Sequence, residues 1–155
     1  MSELRTNKIY PRDGLPAGAS GGGIIQVVQS KFTSELSTSV TSTWIQAHTI
    51  SITPSSASNK IIVMWNGETY GGGGDTLRAE GRLVRSPSTV IWYSSDIFFR
   101  ESGGQLKAIC TSAFVVDSPA TTSQVTYAFD ALISSGDELF LDEDANWLTL
   151  MEVSG

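Results

Sequence analysis

Acid–base or nucleophilic chemistry in this chain would depend on His48, the only histidine among its 155 residues. Serine and aspartate are abundant, so a Ser-His-Asp triad is arithmetically possible. His48, however, shares one parity of a strand-like segment with Ile50 and Ile52, which is typical of a histidine in a core or a subunit interface. The chain has no Gly-x-Ser-x-Gly elbow, and the glycines 71–74 are followed by Asp75 instead of the lysine of a phosphate-binding loop. The sequence therefore predicts that the protein is not an enzyme.

The acidic segment 137–146 is the best candidate for a metal site. Hard cations require several oxygen ligands at short spacing. This segment offers six such residues: Asp137, Glu138, Asp142, Glu143, Asp144 and Asn146. The complete spacing of an EF-hand loop is absent, so we predict a solvated acidic turn without a bound metal, and no cofactor. Paired carboxylates such as Asp130 and Asp137 leave a glycosidase-type hydrolase as a remote third interpretation.

Four aromatic residues indicate a different kind of site. Trp65, Tyr70, Trp92 and Tyr93 could stack on sugar rings if the fold brings them together on one exposed face. Tryptophan and tyrosine are also enriched in cores and subunit interfaces. The four residues are therefore candidates for glycan binding, with packing as the alternative.

Composition and charge exclude several classes of partner. Ten basic residues against sixteen acidic ones give a net charge of −6, which is the wrong sign for a nucleic-acid binder. The start of the chain lacks the apolar stretch of a signal peptide, and no run approaches 18 apolar residues, so we expect no membrane insertion. A single cysteine excludes a disulfide framework, and Cys110 is predicted to be a small buried residue.

Residues 24–155 show the pattern of an all-β domain. The 22 serines and 15 threonines, with few charged residues, suit strands joined by many turns. Strands are predicted at 24–29, 44–52, 61–65, 76–85, 89–93, 106–116, 125–133, 138–141 and 147–153. Their spacing predicts an antiparallel β-sandwich, jelly-roll-like, as one domain. Glycines 71–74 are interpreted as a loop tip.

Two segments point to assembly. Residues 1–23 contain two prolines and five glycines, which predicts an extended N-terminal arm or a disordered tail. The residues of this arm that could be buried against a partner are Leu4, Ile9, Tyr10 and Leu15. The strand at 61–65 is apolar on both parities, so we expect it to be central, with its second face covered or in a subunit interface.

The chain resembles small structural proteins of tailed bacteriophages, especially marine and cyanobacterial ones. The resemblance lies in residues 4–11 (LRTNKIYP), 14–16 (GLP), 22–29 (GGIIQVVQ), 55–63 (SSASNKIIV), 117–122 (DSPATT) and 148–153 (LTLMEV). None of these segments is a catalytic signature, and together they touch the whole chain.

This resemblance implies a virion structural protein, made in the host cytoplasm and located in the virion. The implied roles are a tail-fibre, tail-tip or head-decoration component that forms a homotrimer and is attached to other virion proteins by its arm. Receptor contact by the sandwich is a further implied role, and the aromatic residues make a host surface glycan the candidate partner. The alternative is a carbohydrate-binding, receptor-recognition β-sandwich module.

Overall fold

The computed structural model of the chain describes residues 23–72, 76–100, 109–136, 138–141 and 145–155. These residues form strands and no helix. The strands are β1 (Ile24–Lys31), β2 (Leu36–Thr38), β3 (Ile45–Ile52), β4 (Lys60–Gly72), β5 (Leu77–Arg85), β6 (Thr89–Arg100), β7 (Ile109–Asp117), β8 (Val125–Ser135), β9 (Glu138–Leu141) and β10 (Trp147–Val153). The predicted all-β fold is confirmed. The predicted arm, apart from Gly23, lies outside the described residues.

Two antiparallel sheets pack face to face. The first sheet contains β1, β2, β10, β9, β4 and β7, and the second has the order β3-β8-β5-β6. Both β10 and β9 pair with one edge of β4, while β7 pairs with the other edge. Since β1 pairs with β10 and β2 with β9, the first sheet has four strand positions, two of them interrupted.

If β1 with β2, and β9 with β10, are each counted as one interrupted strand, the described structure has eight strands numbered in chain order. Their spatial order is then 1-8-3-6 in the first sheet and 2-7-4-5 in the second. This is the double Greek-key connectivity of a jelly roll. The jelly-roll-like sandwich predicted from turn spacing is therefore the observed fold.

Alternation along the strands decides which side chains fill the core. On β5 the residues Leu77, Ala79 and Leu83 are fully buried, and the residues between them carry the charges of the outer face. Strand β8 turns Tyr127 and Phe129 into the core, although Ala128 and Asp130 on its outer side are also buried. These are the parities that the period-2 pattern predicted, because successive side chains of a strand point to opposite faces.

The centre of the core is a stack between the two sheets. The Trp65 ring of β4 lies on the Phe129 ring of β8, with centroids 3.8 Å apart and planes 3° from parallel. Phe32, between β1 and β2, packs against Trp65 at 5.5 Å. Next to this stack, a Cβ on Gly67 would come within 2.3 Å of the indole ring. A side chain is thus excluded where Trp65 fills the space.

One end of the sandwich is closed by a buried carboxylate. Glu152 of β10 is fully buried, yet it accepts four hydrogen bonds. The donors are the backbone N and Oγ of Ser55 at 2.7 and 2.8 Å, and the side-chain amides of Asn59 and Gln26, each at 2.5 Å. Burial alone would raise the pKa of Glu152, but these hydrogen bonds outweigh it and lower the pKa to about 2. The carboxylate thereby fixes the β3–β4 loop on the first sheet.

A second carboxylate at this end joins the two sheets. Asp117 of β7 lies in the same row of the first sheet as Glu152, with Ile61 between them. It accepts from Arg85 Nη1 and from the Tyr127 hydroxyl, both at 2.8 Å and both in the second sheet. Burial and this hydrogen bond raise the pKa of Tyr127 far above its ordinary value. The Tyr127 hydroxyl therefore keeps its proton and remains a hydrogen-bond donor to Asp117.

Some expectations about individual segments were wrong. Gly71 and Gly72 do not belong to a loop tip, because they end β4 and pair with β9; residues 73–75 are not described. Strand β6 runs seven residues beyond the predicted end at Tyr93, and β2 was not predicted. Cys110 is exposed instead of buried. On β7 the side chains of the same parity as Ala113 face the core. Apolar residues occur on both parities of this strand, so the sequence pattern did not show which parity is buried.

We predict that Glu152→Gln lowers the free energy of unfolding by roughly 2 kcal/mol, because an amide nitrogen replaces one of the two acceptors and leaves a buried donor unpaired. Urea unfolding at one fixed protein concentration measures the change. The control is Glu138→Gln, a half-buried residue of β9, which should change stability by less than about 0.5 kcal/mol. Equal effects of the two substitutions would contradict the role given to Glu152.

The same carboxylate predicts a dependence on pH. The pKa of Glu152 in the folded protein, about 2, lies below its ordinary value of 4.5, so the folded state is favoured when the group is ionised. This contribution is complete above pH 4.5 and is lost as the pH falls towards 2. Unfolding curves at several pH values should show the gap between wild type and Glu152→Gln closing in that range. A gap that stays constant down to pH 2 would rule this out.

Candidate functional site

The outer face of the first sheet is the most unusual surface of the described structure. It carries seven apolar side chains, which we call the apolar face: Val27, Ile62, Met64, Phe114, Val116, Trp147 and Met151. Phe114 is 61% exposed, and Val27 and Val116 are about half exposed. Scattered apolar residues are normal on a protein surface, but a contiguous patch marks an interaction site.

The strand register makes this face continuous. Successive rows across β1, β10, β4 and β7 are Val27, Met151, Ile62 and Val116; then Gln29, Thr149, Met64 and Phe114; then Lys31, Trp147, Asn66 and Ser112. Apolar side chains fill the first row completely and half of the second. The patch is therefore widest near the end that Glu152 and Asp117 close, and it becomes polar towards the opposite end.

The double-apolar pattern of 61–65 has a direct structural cause. Ile61, Val63 and Trp65 are fully buried between the sheets, while Ile62 and Met64 are half-buried on the apolar face. The strand is central, as predicted, with β10 on one edge and β7 on the other. Its second apolar side faces out of the sandwich, where no described residue of the chain packs over it as a further layer.

The outer face of the second sheet has the opposite character. Arg82 of β5 donates from Nε to Asp130 Oδ2 of β8 at 2.9 Å, and its Nη2 lies 2.9 Å from the same oxygen in an ion pair. Its guanidinium also lies over the Trp44 ring, 4.2 Å from the centroid. Tyr93 of β6 meets Trp44 edge to face and donates its hydroxyl to Glu80 at 2.7 Å. This face is a paired polar and aromatic surface, so apolar association is expected on the first sheet and not here.

The structure does not bring the four predicted sugar-stacking residues together. Trp65 is fully buried in the core. Trp92 lies opposite Leu83 and packs against the core from the inner side of β6, while Tyr93 points outward. Tyr70 is on the first sheet, stacked on Phe140 and hydrogen-bonded to Glu35. The proposed platform was wrong, because the residues are divided among the core and both sheets.

Sequence reasoning also missed the aromatic pair that does form. Trp44 was assigned to the start of a strand, and nothing in the local pattern placed it beside Tyr93 or Arg82. The three residues come from different parts of the chain and meet only because β8 and β5 lie between β3 and β6.

His48 has one polar partner. Its Nε2 lies 2.8 Å from Ser30 Oγ, and its ring is 4.4 Å from that of Phe32. Burial lowers the pKa of His48 below its ordinary value of 6.5. Among the described residues no carboxylate bonds to the ring, so a Ser-His-Asp triad is not formed there. The expectation of a packed histidine agrees with this geometry.

The remaining candidates are only partly described. Asp137 and residues 142–144 of the acidic segment lie outside the described residues, as do Leu4, Ile9, Tyr10 and Leu15 of the arm. Of the acidic segment, Asn146 is buried and donates to the Glu68 carbonyl. In the described ranges no group of three or more His, Cys, Asp or Glu side chains is placed to hold a metal ion.

Comparisons with known proteins do not assign the chain to a family. No family model matches it, and no curated protein matches it. Within the described residues there is no helix of the length and apolarity that crossing a membrane requires.

We predict that His48 titrates below pH 6.5. As the only histidine, it gives a single set of imidazole signals, so a solution NMR titration reads its pKa directly. Because the folded state favours the neutral ring, stability should fall as the pH drops below 6.5. A pKa at or above 6.5 would show that the ring is not in the environment described.

Proposed function

We propose that the protein is a structural component of a bacteriophage virion, in a tail fibre, a tail tip or a head decoration, and that it assembles as a homotrimer through the apolar face. The observation that carries the proposal is the apolar face itself. The resemblance of the chain to phage structural proteins supplies the virion context.

Burial of the apolar face would favour association. Each Å² of apolar surface removed from water contributes about 25 cal/mol. Phe114, Val27 and Val116 are each about half exposed or more in the isolated chain, so about half of their surface is still available for burial. The polar residues Gln29, Thr149 and Asn66 border the patch, as expected for an interface with an apolar centre and a polar rim.

The occupant we assign to the apolar face is a second copy of the chain. A sheet face repeated on identical chains supports a closed symmetric oligomer, the usual form of soluble assemblies. The resemblance to phage structural proteins favours three copies over two. Residue 24 begins β1 in the same row as Val153, so the arm would leave the domain beside the widest part of the apolar face. In this arrangement the three arms emerge together and attach the trimer to a neighbouring virion protein.

We predict that the purified chain has a mass near three chains at two concentrations tenfold apart, measured by light scattering. The double variant Met64→Glu, Phe114→Glu should be a folded single chain, because burying carboxylates in an apolar interface is costly. The control Val90→Glu, which changes a 48% exposed valine of the second sheet, should keep the wild-type mass. A wild-type monomer at both concentrations, or dissociation by the control, would overturn the proposal.

The number and arrangement of copies can be tested with Cys110. This only cysteine of the chain is exposed and lies on the outer side of the first sheet, opposite Glu68 of β4. A spin label at Cys110 should report three interacting spins with one dominant distance by pulsed electron resonance, since a three-fold axis relates the labels. Two interacting spins would indicate a dimer instead.

We predict that deletion of residues 1–20 leaves a folded oligomer that no longer joins the virion. The deletion removes the arm without touching β1. Light scattering of the deletion protein and its incorporation into phage particles, compared with the full chain, provide the two readouts. Normal incorporation would refute the anchoring role of the arm, whereas loss of the oligomer would mean that the arm holds the copies together.

A further inference from the structure

Beyond assembly, the outer face of the second sheet carries a groove next to an aromatic ridge, and we infer that this face binds a neutral saccharide. The groove has a volume of about 330 Å³ and includes Gln46, Thr49, Thr126, Val84 and Ala128 in its lining. The ridge consists of Trp44, Arg82 and Tyr93. This site uses none of the residues of the apolar face.

The groove and the ridge are neighbours on the same strands. Arg82 and Val84 are two residues apart on the outer side of β5, as are Asp130 and Ala128 on β8. Residues at this spacing are about 7 Å apart along a strand. The small side chains of Ala128 and Val84 form the floor of the groove. The larger side chains of Arg82 and Trp44 stack on one another and protrude from the sheet as the ridge. A ring-shaped ligand lying in the groove would therefore have its edge against the ridge.

The lining has the chemistry that a sugar requires. The hydroxyl of Thr49 and the amide of Gln46 can each donate and accept hydrogen bonds, as sugar hydroxyls do. The Thr126 hydroxyl lies 2.8 Å from Ser51 Oγ and has one bond already made. Val84 and Ala128 provide an apolar floor for the C–H groups of the ring. Ligand sites typically combine an apolar surface with a few placed polar groups, and the volume is at the lower end of their range.

The exposed aromatic ring is held in place before any ligand arrives. Tyr93 is 52% exposed, but its hydroxyl is fixed by Glu80 and its ring contacts Trp44 edge to face. Its ring face is thus available for stacking with little loss of side-chain entropy. Ordering of a side chain on binding carries an entropy cost, so this arrangement favours affinity.

The charges of this face select against ionic ligands. Arg82 is paired with Asp130 and Arg78 with Asp96, while Glu80 accepts from Tyr93. These five charged side chains have a net charge of −1, because two are basic and three are acidic. An acidic sugar or a phosphate would meet neutralised arginines and a surplus carboxylate. A neutral saccharide meets no such penalty.

A second groove extends the site around the same end of the sandwich. It has a volume of about 290 Å³ and is lined in part by Pro119, Thr121 and Gln124. Ser86 and Thr126 line both grooves, and Ser86 N donates to the Thr126 carbonyl at 2.9 Å between them. The two grooves give room for more than one sugar unit. Because the second sheet is on the opposite side from the apolar face, association through that face leaves the grooves open.

The experiment is a screen of the full chain on a printed array of neutral and acidic oligosaccharides, followed by calorimetric titration of the best neutral binder. Tyr93→Ala should weaken that binding at least tenfold, and Gln46→Ala several-fold. Tyr93→Phe keeps the ring and should retain most of the affinity. Glu138→Gln, at a half-buried residue of β9 outside both the apolar face and the groove lining, is the control and should bind like wild type.

The outcomes separate this inference from the proposed assembly. All variants should keep the wild-type mass in light scattering, since none of these substitutions changes an apolar side chain of the apolar face. No neutral oligosaccharide bound, a preference for acidic sugars, or equal weakening by Glu138→Gln and Tyr93→Ala would overturn the inference. Binding to a host protein that survives removal of its glycans and is lost in Tyr93→Ala would also overturn it, because the face would then recognise protein.

Discussion

The stack of Trp65 on Phe129 is the interaction on which the rest of the structure depends. It is the closest ring contact between the two sheets and fixes one side chain of β4 in the centre of the core. Once Trp65 points inward, the pleat forces Met64 and Asn66 outward. The pairing register then determines which side chains of β10 and β7 face outward beside them. A slip of one residue would move Met64 and Ile62 into the core and expose Trp65. The apolar face and the core are therefore two results of one constraint.

The two outer faces differ in whether their side chains find partners on the same face. On the second sheet, arginines and carboxylates pair across neighbouring strands, so these charges are compensated within one chain. On the first sheet, Phe114 and Val116 have no comparable partner among the described residues, and water contact with them is unfavourable. One molecule thus combines a face suited to self-association with one suited to a polar ligand.

The sequence predicted what depends on local alternation and missed what depends on strand order. Leu77 to Leu83 alternate cleanly, so their burial was predictable. Strand β8 also buries Ala128, Asp130 and Leu132 of its outer parity, which the alternation did not predict. Strand β7 has apolar residues on both parities, so the exposure of Phe114 and Cys110 was not. The contact of Trp44 with Arg82 requires β3 and β5 to flank β8, and no local pattern contains that information. Glycan binding was therefore sought on Trp65 and Trp92, whose strands turn them inward.

The pairing of the first strand with the last has a consequence for the time at which the protein can fold. Gln26 meets Glu152 across 126 positions of sequence, so β1 has no partner until the final strand has left the ribosome. At roughly 5–20 residues per second, a nascent chain waits several seconds with Val27 and its neighbours uncovered. Contacts this distant in sequence also form slowly. If the chain self-associates as proposed, copies made in quick succession from one message would complete their sheets near one another, where their local concentration is highest.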